Sequence, residues 1–320
     1  MRRLLRLIRH GRSLAHWPIA FPNAAVGVRV HLRDRHDAPV DITDAHVPIS
    51  LRPLVIGVEF GATSHDRVAG RHGTGLSLVW SDASTGIQLA DVRLRSIGSI
   101  PTRGRELELF ETGECRNRCA PRSVRWWRYA LAWRHALDAP RRGDRLCMSA
   151  SDLRALNAYY IVPRPVYAVS VSHAGRTNMF PMDLVGTLPS GMFSLALRTT
   201  SPAIELIERS RRVVMSGAPS HLLSDIYALG RHHRESAIDV DTLPFQISQS
   251  PCSGLPVIAN ASIIRELIVA AIHRIGSHTV FVCDIDEESG EPQDMIAHTS
   301  AMFVEWLRRR GRTVEVLSRS

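Results

Sequence analysis

Alternation of apolar and polar residues is the clearest pattern in the N-terminal half of the chain. It recurs in four segments, 25–32, 54–60, 76–80 and 87–94, with Asp, Gly, Ser and Pro between them. A two-residue period is typical of half-buried strands, and the separating residues are those that form turns. The first half is therefore predicted to be mostly β-strand.

Helical spacing replaces this alternation near the middle of the chain. Aromatic residues recur at helical intervals over 124–137, and Pro140 ends the pattern. This stripe contains Trp126, Trp127 and Trp133. We expect the tryptophans to pack against the protein; stacking on nucleic-acid bases is the alternative. Ser149 followed by Asp152 indicates the start of a second helix, which would link the two halves.

The C-terminal half again favours strands, with few helices. The predicted strands are 166–171, 192–197, 213–216, 256–261, 266–275 and 279–286. The predicted helices are 202–210 and about 220–230, and a turn is predicted at 173–175. We detect no convincing internal repeat. Two domains are expected: residues 1–148, strand-rich, basic and ending in the Trp-rich helix, and residues 149–320.

Composition and charge narrow the classes of function. Every one of the 40 basic residues is Arg, which excludes a Schiff-base lysine, a P-loop lysine and a kinase-type lysine. Residues 1–150 hold 24 Arg against 14 Asp and Glu, a charge of +10, while residues 151–320 hold 16 against 17, a charge of −1. The complete absence of Lys is explained more simply by a compositional bias of the source genome than by selection for a phosphate-binding surface. Nucleic-acid binding is therefore the less favoured interpretation.

The sequence also bears on compartment and redox state. Arg6 and Arg9 interrupt the apolar part of the opening segment, and no stretch reaches the 18 uncharged apolar residues of a membrane span. We expect a cytoplasmic protein without membrane attachment. The five cysteines, an odd number, are expected to be reduced. Cys115 and Cys119 have no second pair to complete a zinc site, and no metal is predicted.

Four motifs occur in one order along the second half. They are Pro-Arg-Pro-Val at the start of 163–170, Gly-x-x-Asn in 175–183, Arg-Thr-Thr-Ser at 198–201 before a short helix, and Gly-Ser-His at the start of 276–282. This order resembles the flavin reductase-like domain family of FMN-binding split barrels. Ser277 occupies the position where that family usually has Asp. The first half is not covered by the resemblance, and a degenerate copy of the same barrel stays open as an interpretation of it.

The resemblance implies a mainly β fold with some α: an antiparallel Greek-key split barrel that binds FMN, preceded by the N-terminal strand-rich domain. It further implies a homodimer and an FMN-dependent oxidoreductase of the NAD(P)H:flavin reductase type. The implied cofactor-binding residues are Asn178, Met179, Phe180, Pro181, Met182, Asp183, Arg198, Thr199, Thr200, Ser201 and His278. His278 is also the candidate for contact with the nicotinamide donor.

The residues themselves partly support these roles. Hydroxyl groups ahead of Pro202 would lie at a helix N-terminus, and Arg198 adds a charge-assisted contact for a phosphate. One of those hydroxyls could instead be only a helix cap. Met179, Phe180 and Met182 could equally be core residues, Asp183 a solvated turn carboxylate, and His278 a buried hydrogen-bonding group.

Neighbouring histidines at 232 and 233 would diverge on a helix, so they favour a polar cofactor rim or a dimer contact over a metal site. Two further functions stay open: a flavin carrier or sensor without turnover, whose basic domain binds a partner, and a nucleic-acid binder.

Overall fold

A computed structural model describes residues 16–34, 38–60, 75–138 and 148–318. The basic opening segment and Cys147 lie outside these ranges. Every strand pairing among the described residues is antiparallel. The predicted class, mainly β with some α, is confirmed, and the sheets do not close into barrels.

The N-terminal sheet contains seven strands. They are β2 (Val28–Arg33), β3 (Val40–Asp41), β4 (His46–Leu51), β5 (Leu54–Glu59), β6 (Ser77–Asp82), β7 (Gln88–Pro101) and β8 (Glu106–Asn117). Their spatial order is β3-β2-β6-β7-β8-β5-β4.

The C-terminal sheet also contains seven strands. They are β10 (Tyr167–His173), β11 (Arg176–Met182), β12 (Val185–Thr187), β13 (Phe193–Arg198), β14 (Arg212–Gly217), β17 (Ile263–Ile275) and β18 (His278–Gly290). Their order is β11-β10-β14-β17-β18-β13-β12. A hairpin of β15 (Ile247–Gln249) and β16 (Pro256–Ile258) is inserted before β17.

The two large sheets share one topology. When the seven strands of each are counted along the chain, both sheets run second, first, fifth, sixth, seventh, fourth, third. The sequence shows no convincing internal repeat, yet the strand order is repeated, as in the degenerate second copy that the sequence left open. Strand order depends on backbone pairing, which tolerates wide divergence of side chains as long as the alternation of buried and exposed positions is kept.

A third sheet joins the ends of the chain to its middle. In it β19 (Met295–Ser300) lies between β1 (His16–Phe21) and β9 (Arg164–Pro165). Within the described residues the α-helices are α1 (Arg122–Asp138), α2 (Ala150–Tyr159), α3 (Ala203–Ser210), α4 (Leu223–Ala228) and α5 (Ala301–Arg308). Short 3-10 turns cover Ser220–Leu222, Leu229–Arg234 and Val240–Thr242. The boundary predicted at 148/149 falls just before α2 and stays a prediction.

Several local predictions are confirmed. Ser149 caps α2 by accepting a hydrogen bond from the Asp152 backbone N–H. Ala174 and Gly175 have φ of 51° and 75°, the left-handed pair of a tight hairpin turn between β10 and β11. Helix α1 forms as expected.

The prediction that the tryptophans of α1 pack against the protein is wrong. Their side chains are exposed, 77% for Trp126, 48% for Trp127 and 62% for Trp133. Aromatic residues at helical spacing predicted the helix but not a surface to cover it.

The apolar core has separate parts on the two faces of β5. Leu54, Ile56 and Val58 pack with α2 and α5 in one core, whereas Val55 faces a second core formed with residues of the C-terminal sheet. Strand β5 is consequently buried along its whole length. The half-buried strand predicted at 54–60 is therefore fully enclosed, since both of its faces are covered.

Candidate functional site

The segment predicted to lie along the flavin forms β11, an edge strand of the C-terminal sheet. Asn178 is fully buried there, and its Nδ2 donates to the carbonyl oxygens of His232 at 3.1 Å and Glu235 at 2.8 Å. Its Oδ1 is buried with no hydrogen-bond partner in the structure. Asn178 therefore fastens the 229–235 segment to β11 and keeps one acceptor unpaired.

The apolar members of the segment are core residues. Phe180 and Met182 pack inside the C-terminal sheet core, and Met179 packs on the opposite face against α4. All three are buried. The sequence left open whether these side chains contact the cofactor or belong to the core, and in the structure they belong to the core. Near the surface, this segment has only Pro181, Asp183 and its backbone.

Two histidines cover the edge of β11. His232 Nδ1 hydrogen-bonds to the carbonyl of Met179 at 2.9 Å, and His233 Nε2 to that of Pro181 at 2.9 Å. These alternate carbonyls face away from the sheet, and an edge strand needs such groups to be paired. The adjacent histidines act as two separate caps on one strand edge.

The segment predicted to bind phosphate lies at the end of β13. Arg198, Thr199 and Thr200 are exposed, whereas Ser201 is buried and its Oγ donates to the carbonyl of His233 at 3.3 Å. Helix α3 follows at Ala203 with no side-chain cap. His233 thus contacts both predicted cofactor segments.

The cluster of Arg198, Ser201 and His233 carries a positive charge. Burial lowers the pKa of His233, an effect partly offset by its hydrogen bond to the Pro181 carbonyl, and the nearby Arg198 lowers it further. His233 is therefore neutral at pH 7, and Arg198 carries the charge of the cluster.

The Gly-Ser-His motif forms the turn between β17 and β18. Arg198, the last residue of β13, pairs with His278, the first residue of β18, and the Thr199 N–H donates to the Ser277 carbonyl at 3.1 Å. His278 is 1% exposed. Burial, with Arg198 as the second cause, lowers the pKa of His278 to about 4. His278 is neutral and enclosed, in agreement with a buried hydrogen-bonding group.

This turn is held by the N-terminal half. The Ser277 N–H donates to Ser50 Oγ at 3.1 Å, and the Arg52 N–H donates to Ser277 Oγ at 3.1 Å. The Leu51 N–H points to His278 Nδ1 at 3.4 Å. At Gly276, φ is +55° and a Cβ would lie 2.6 Å from Ser50 Oγ, so glycine is required by both backbone and space.

Asp183 belongs to a polar network that sequence reasoning missed. Its Oδ2 accepts from Tyr160 OH at 2.7 Å and from His298 Nδ1 at 2.6 Å, and His298 Nε2 contacts Tyr227 OH at 2.7 Å. The expected solvated turn carboxylate is instead half-buried, with its side chain 18% exposed. The four residues are far apart in the chain, so no local pattern could have indicated the network.

The buried guanidinium of Arg164 lies near the Asp183 network. Arg164 is 8% exposed, lies over the ring of Tyr159 at 4.0 Å and hydrogen-bonds to His46 Nε2. Burial, and next the charge of Arg164, lower the pKa of His46 to about 3. His46 therefore stays neutral and can accept the hydrogen bond from the guanidinium.

A separate open pocket of about 450 Å³ is lined by residues of the 225–244 segment. Its lining includes Asp225, Glu235 and Asp239 against Arg231. This excess of carboxylates is unfavourable for an anion, so the pocket does not extend the predicted phosphate site.

The described residues offer neither a metal cluster nor a membrane-spanning helix. Across the described ranges no three His, Cys, Asp or Glu side chains are grouped to hold a metal ion. Cys115 and Cys119 are buried thiols, and burial raises the pKa of Cys115 to about 12. None of the described helices combines the length and hydropathy needed to cross a bilayer.

No family model and no curated protein matches the chain. Solved structures share part of its backbone course. An FMN-binding protein from Thermus thermophilus is 24% identical, with a TM-score of 0.36 over 42% of this chain and 75% of that one. An NADH:FAD oxidoreductase from Streptomyces globisporus is 13% identical, with a TM-score of 0.40 over 46% and 89%. The styrene monooxygenase flavin reductase from Pseudomonas putida is 17% identical, with a TM-score of 0.37 over 43% and 89%. These values describe a partial likeness of shape and say nothing of chemistry.

Proposed function

We propose that the chain binds FMN at the end of β13 and acts as an FMN-dependent oxidoreductase of the NAD(P)H:flavin reductase kind. The observation that supports this best is the convergence of three motif segments that are distant in sequence. His233 contacts both Pro181 and Ser201, while Arg198 and Thr199 pair with the turn that carries His278.

The phosphate end of FMN fits the residues present. Arg198 offers an exposed guanidinium, and Thr200 adds an exposed hydroxyl beside it. Charge-assisted hydrogen bonds of this kind suit a phosphate dianion. Asn178 Oδ1, on the edge strand β11, is a buried acceptor without a partner, and it would suit an N–H group of the flavin ring rather than the phosphate. Bound FMN would supply hydride transfer, and the protein would supply orientation and electrostatics.

The role of His278 changes with its burial. A neutral imidazole that is 1% exposed is not placed to donate a proton to a ligand at the surface. We therefore assign it as a positioning residue, which fixes the turn beside Arg198.

The phosphate site is tested by Arg198→Gln. Loss of a hydrogen bond to a charged group costs about 1.5–3 kcal/mol, so FMN affinity should fall roughly 10- to 100-fold. Titration of flavin fluorescence gives the dissociation constant. Arg93→Gln is a matched control, since its exposed side chain lies in the N-terminal sheet and its loss changes the net charge equally. Equal FMN affinities of the two variants would show that the phosphate does not bind at Arg198.

Turnover is tested by anaerobic reduction of the FMN-loaded protein. NADH or NADPH should bleach the flavin absorption as dithionite does. Bleaching by dithionite alone would contradict the reductase assignment and favour the carrier or sensor, since the flavin would then be redox-competent without a nicotinamide site.

A further inference from the structure

The contacts between the two halves are reciprocal. The turn between the sixth and seventh strands of the C-terminal sheet lies on the turn between the third and fourth strands of the N-terminal sheet, through Ser277 with Ser50 and Arg52. The converse contact is also present. Thr102, between β7 and β8, donates to Glu59, which also accepts from Ser190, between β12 and β13.

The third strands of the two sheets meet between these contacts. Gly186 on β12 faces Val47 on β4 so closely that a Cβ on Gly186 would lie 2.5 Å from Val47 Cγ1. The core around them draws six buried residues from each half. From the N-terminal half come Val47, Ile49, Val55, Ile100, Leu107 and Leu109, and from the C-terminal half Leu184, Leu188, Met192, Ala196, Val280 and Val282.

The two sheets share one strand order, and the same surface of each sheet contacts that surface of the other. This is the arrangement of an isologous dimer, in which two identical subunits meet through the same patch. We propose that this chain is an internal dimer: two copies of one seven-stranded unit in tandem, packed across a pseudo-twofold axis near Gly186 and Val47. The chain then needs no second copy, and it exists as a monomer in place of the homodimer that the family resemblance implies.

The two units differ at the position that the proposed function uses. The fourth strand of each unit has six residues and ends on a charged side chain, Arg198 in β13 and Glu59 in β5. Arg198 is exposed, whereas Glu59 is 1% exposed and holds the turns of Thr102 and Ser190 together. A buried carboxylate disfavours a phosphate, so the internal dimer carries one anionic-ligand site, in its C-terminal unit. This part rests on the proposed function.

Sedimentation and titration of the full chain test both parts. Sedimentation velocity from low to high micromolar concentration should give a single species of 35.6 kDa. FMN titration should saturate at one equivalent per chain. A stable species of twice that mass would overturn the internal dimer, and two equivalents would overturn its asymmetry. Failure to bind FMN would sink the proposed function alone, because the sedimentation result still decides the internal dimer.

A wedge at the axis gives a second test. Gly186→Val inserts side-chain atoms where Val47 already lies, whereas Gly230→Val is a matched control with nothing within 4 Å of its Cβ position. The wedge should lower the unfolding midpoint, or convert the monomer into a dimer that exchanges halves between chains, and the control should do neither. Identical stability and mass for the two variants would contradict a close-packed axis at this place.

Discussion

At the scale of single residues, the buried histidine of the Gly-Ser-His turn makes stability depend on pH. The pKa of His278 is about 4 in the folded chain, below the value of about 6.5 expected when unfolded. The unfolded chain therefore takes up the proton first, so stability is intact above pH 6.5 and falls as the pH drops toward 4. Between pH 7 and pH 5 this group should remove about 2 kcal/mol from the free energy of unfolding.

Urea unfolding at the two pH values measures this loss. His278→Gln should lose about 2 kcal/mol less than the wild type over the same interval, because glutamine does not titrate. His221→Gln, at an exposed position, should behave as the wild type. An unchanged pH dependence in His278→Gln would show that the histidine is not enclosed in solution.

Asp183 contributes stability through the hydrogen bonds that it accepts from Tyr160 and His298. Asp183→Asn replaces the charged oxygen that accepts from both Tyr160 and His298 by a neutral amide, so both hydrogen bonds weaken and the free energy of unfolding should fall by about 1–3 kcal/mol. Asp286→Asn is the control: its carboxylate pairs with Arg212 at the surface, and such pairs are worth about 0–1 kcal/mol. A loss at Asp183 no larger than at Asp286 would mean that solvent replaces the network freely.

At the scale of elements, two Trp-bearing helices have opposite surroundings. Trp306 of α5 is 5% exposed and stacks on Phe303, whereas Trp133 of α1 is 62% exposed. Trp306→Ala should therefore cost about 3–5 kcal/mol of unfolding free energy and Trp133→Ala within about 0.5 kcal/mol. Denaturant titration of both variants compares them directly. A large loss at Trp133 would indicate that α1 is covered in solution.

At the scale of the whole molecule, the halves should unfold together. Helix α5 packs in the N-terminal core, β1 pairs with β19, and a shared core lies between the two large sheets. Loss of either half exposes apolar surface of the other, so a single cooperative transition is expected. Circular dichroism reports both sheets, while most tryptophans report the N-terminal half. Coincident melts support one unit, and a circular dichroism phase without a fluorescence change would contradict it.

The sequence by itself determined what depends on neighbouring residues. Alternation and turn residues indicated β5, β6, β13 and most of β17 and β18, and local capping gave the start of α2 at Ser149. The motif order grouped Asn178, Arg198 and His278 before any contact was visible. These features follow from short-range geometry, since the side-chain period and the cap involve residues a few positions apart.

Tertiary structure alone decided how the segments meet. The strand order shared by both sheets rests on pairings such as β5 with β8, about fifty residues apart, which no local pattern records. It also decided that Met179 and Phe180 face the interior, that His233 joins two segments, and that Asp183 meets His298. Burial of these groups arises only when distant elements pack, because an element's two faces are chosen by what covers them rather than by its own sequence.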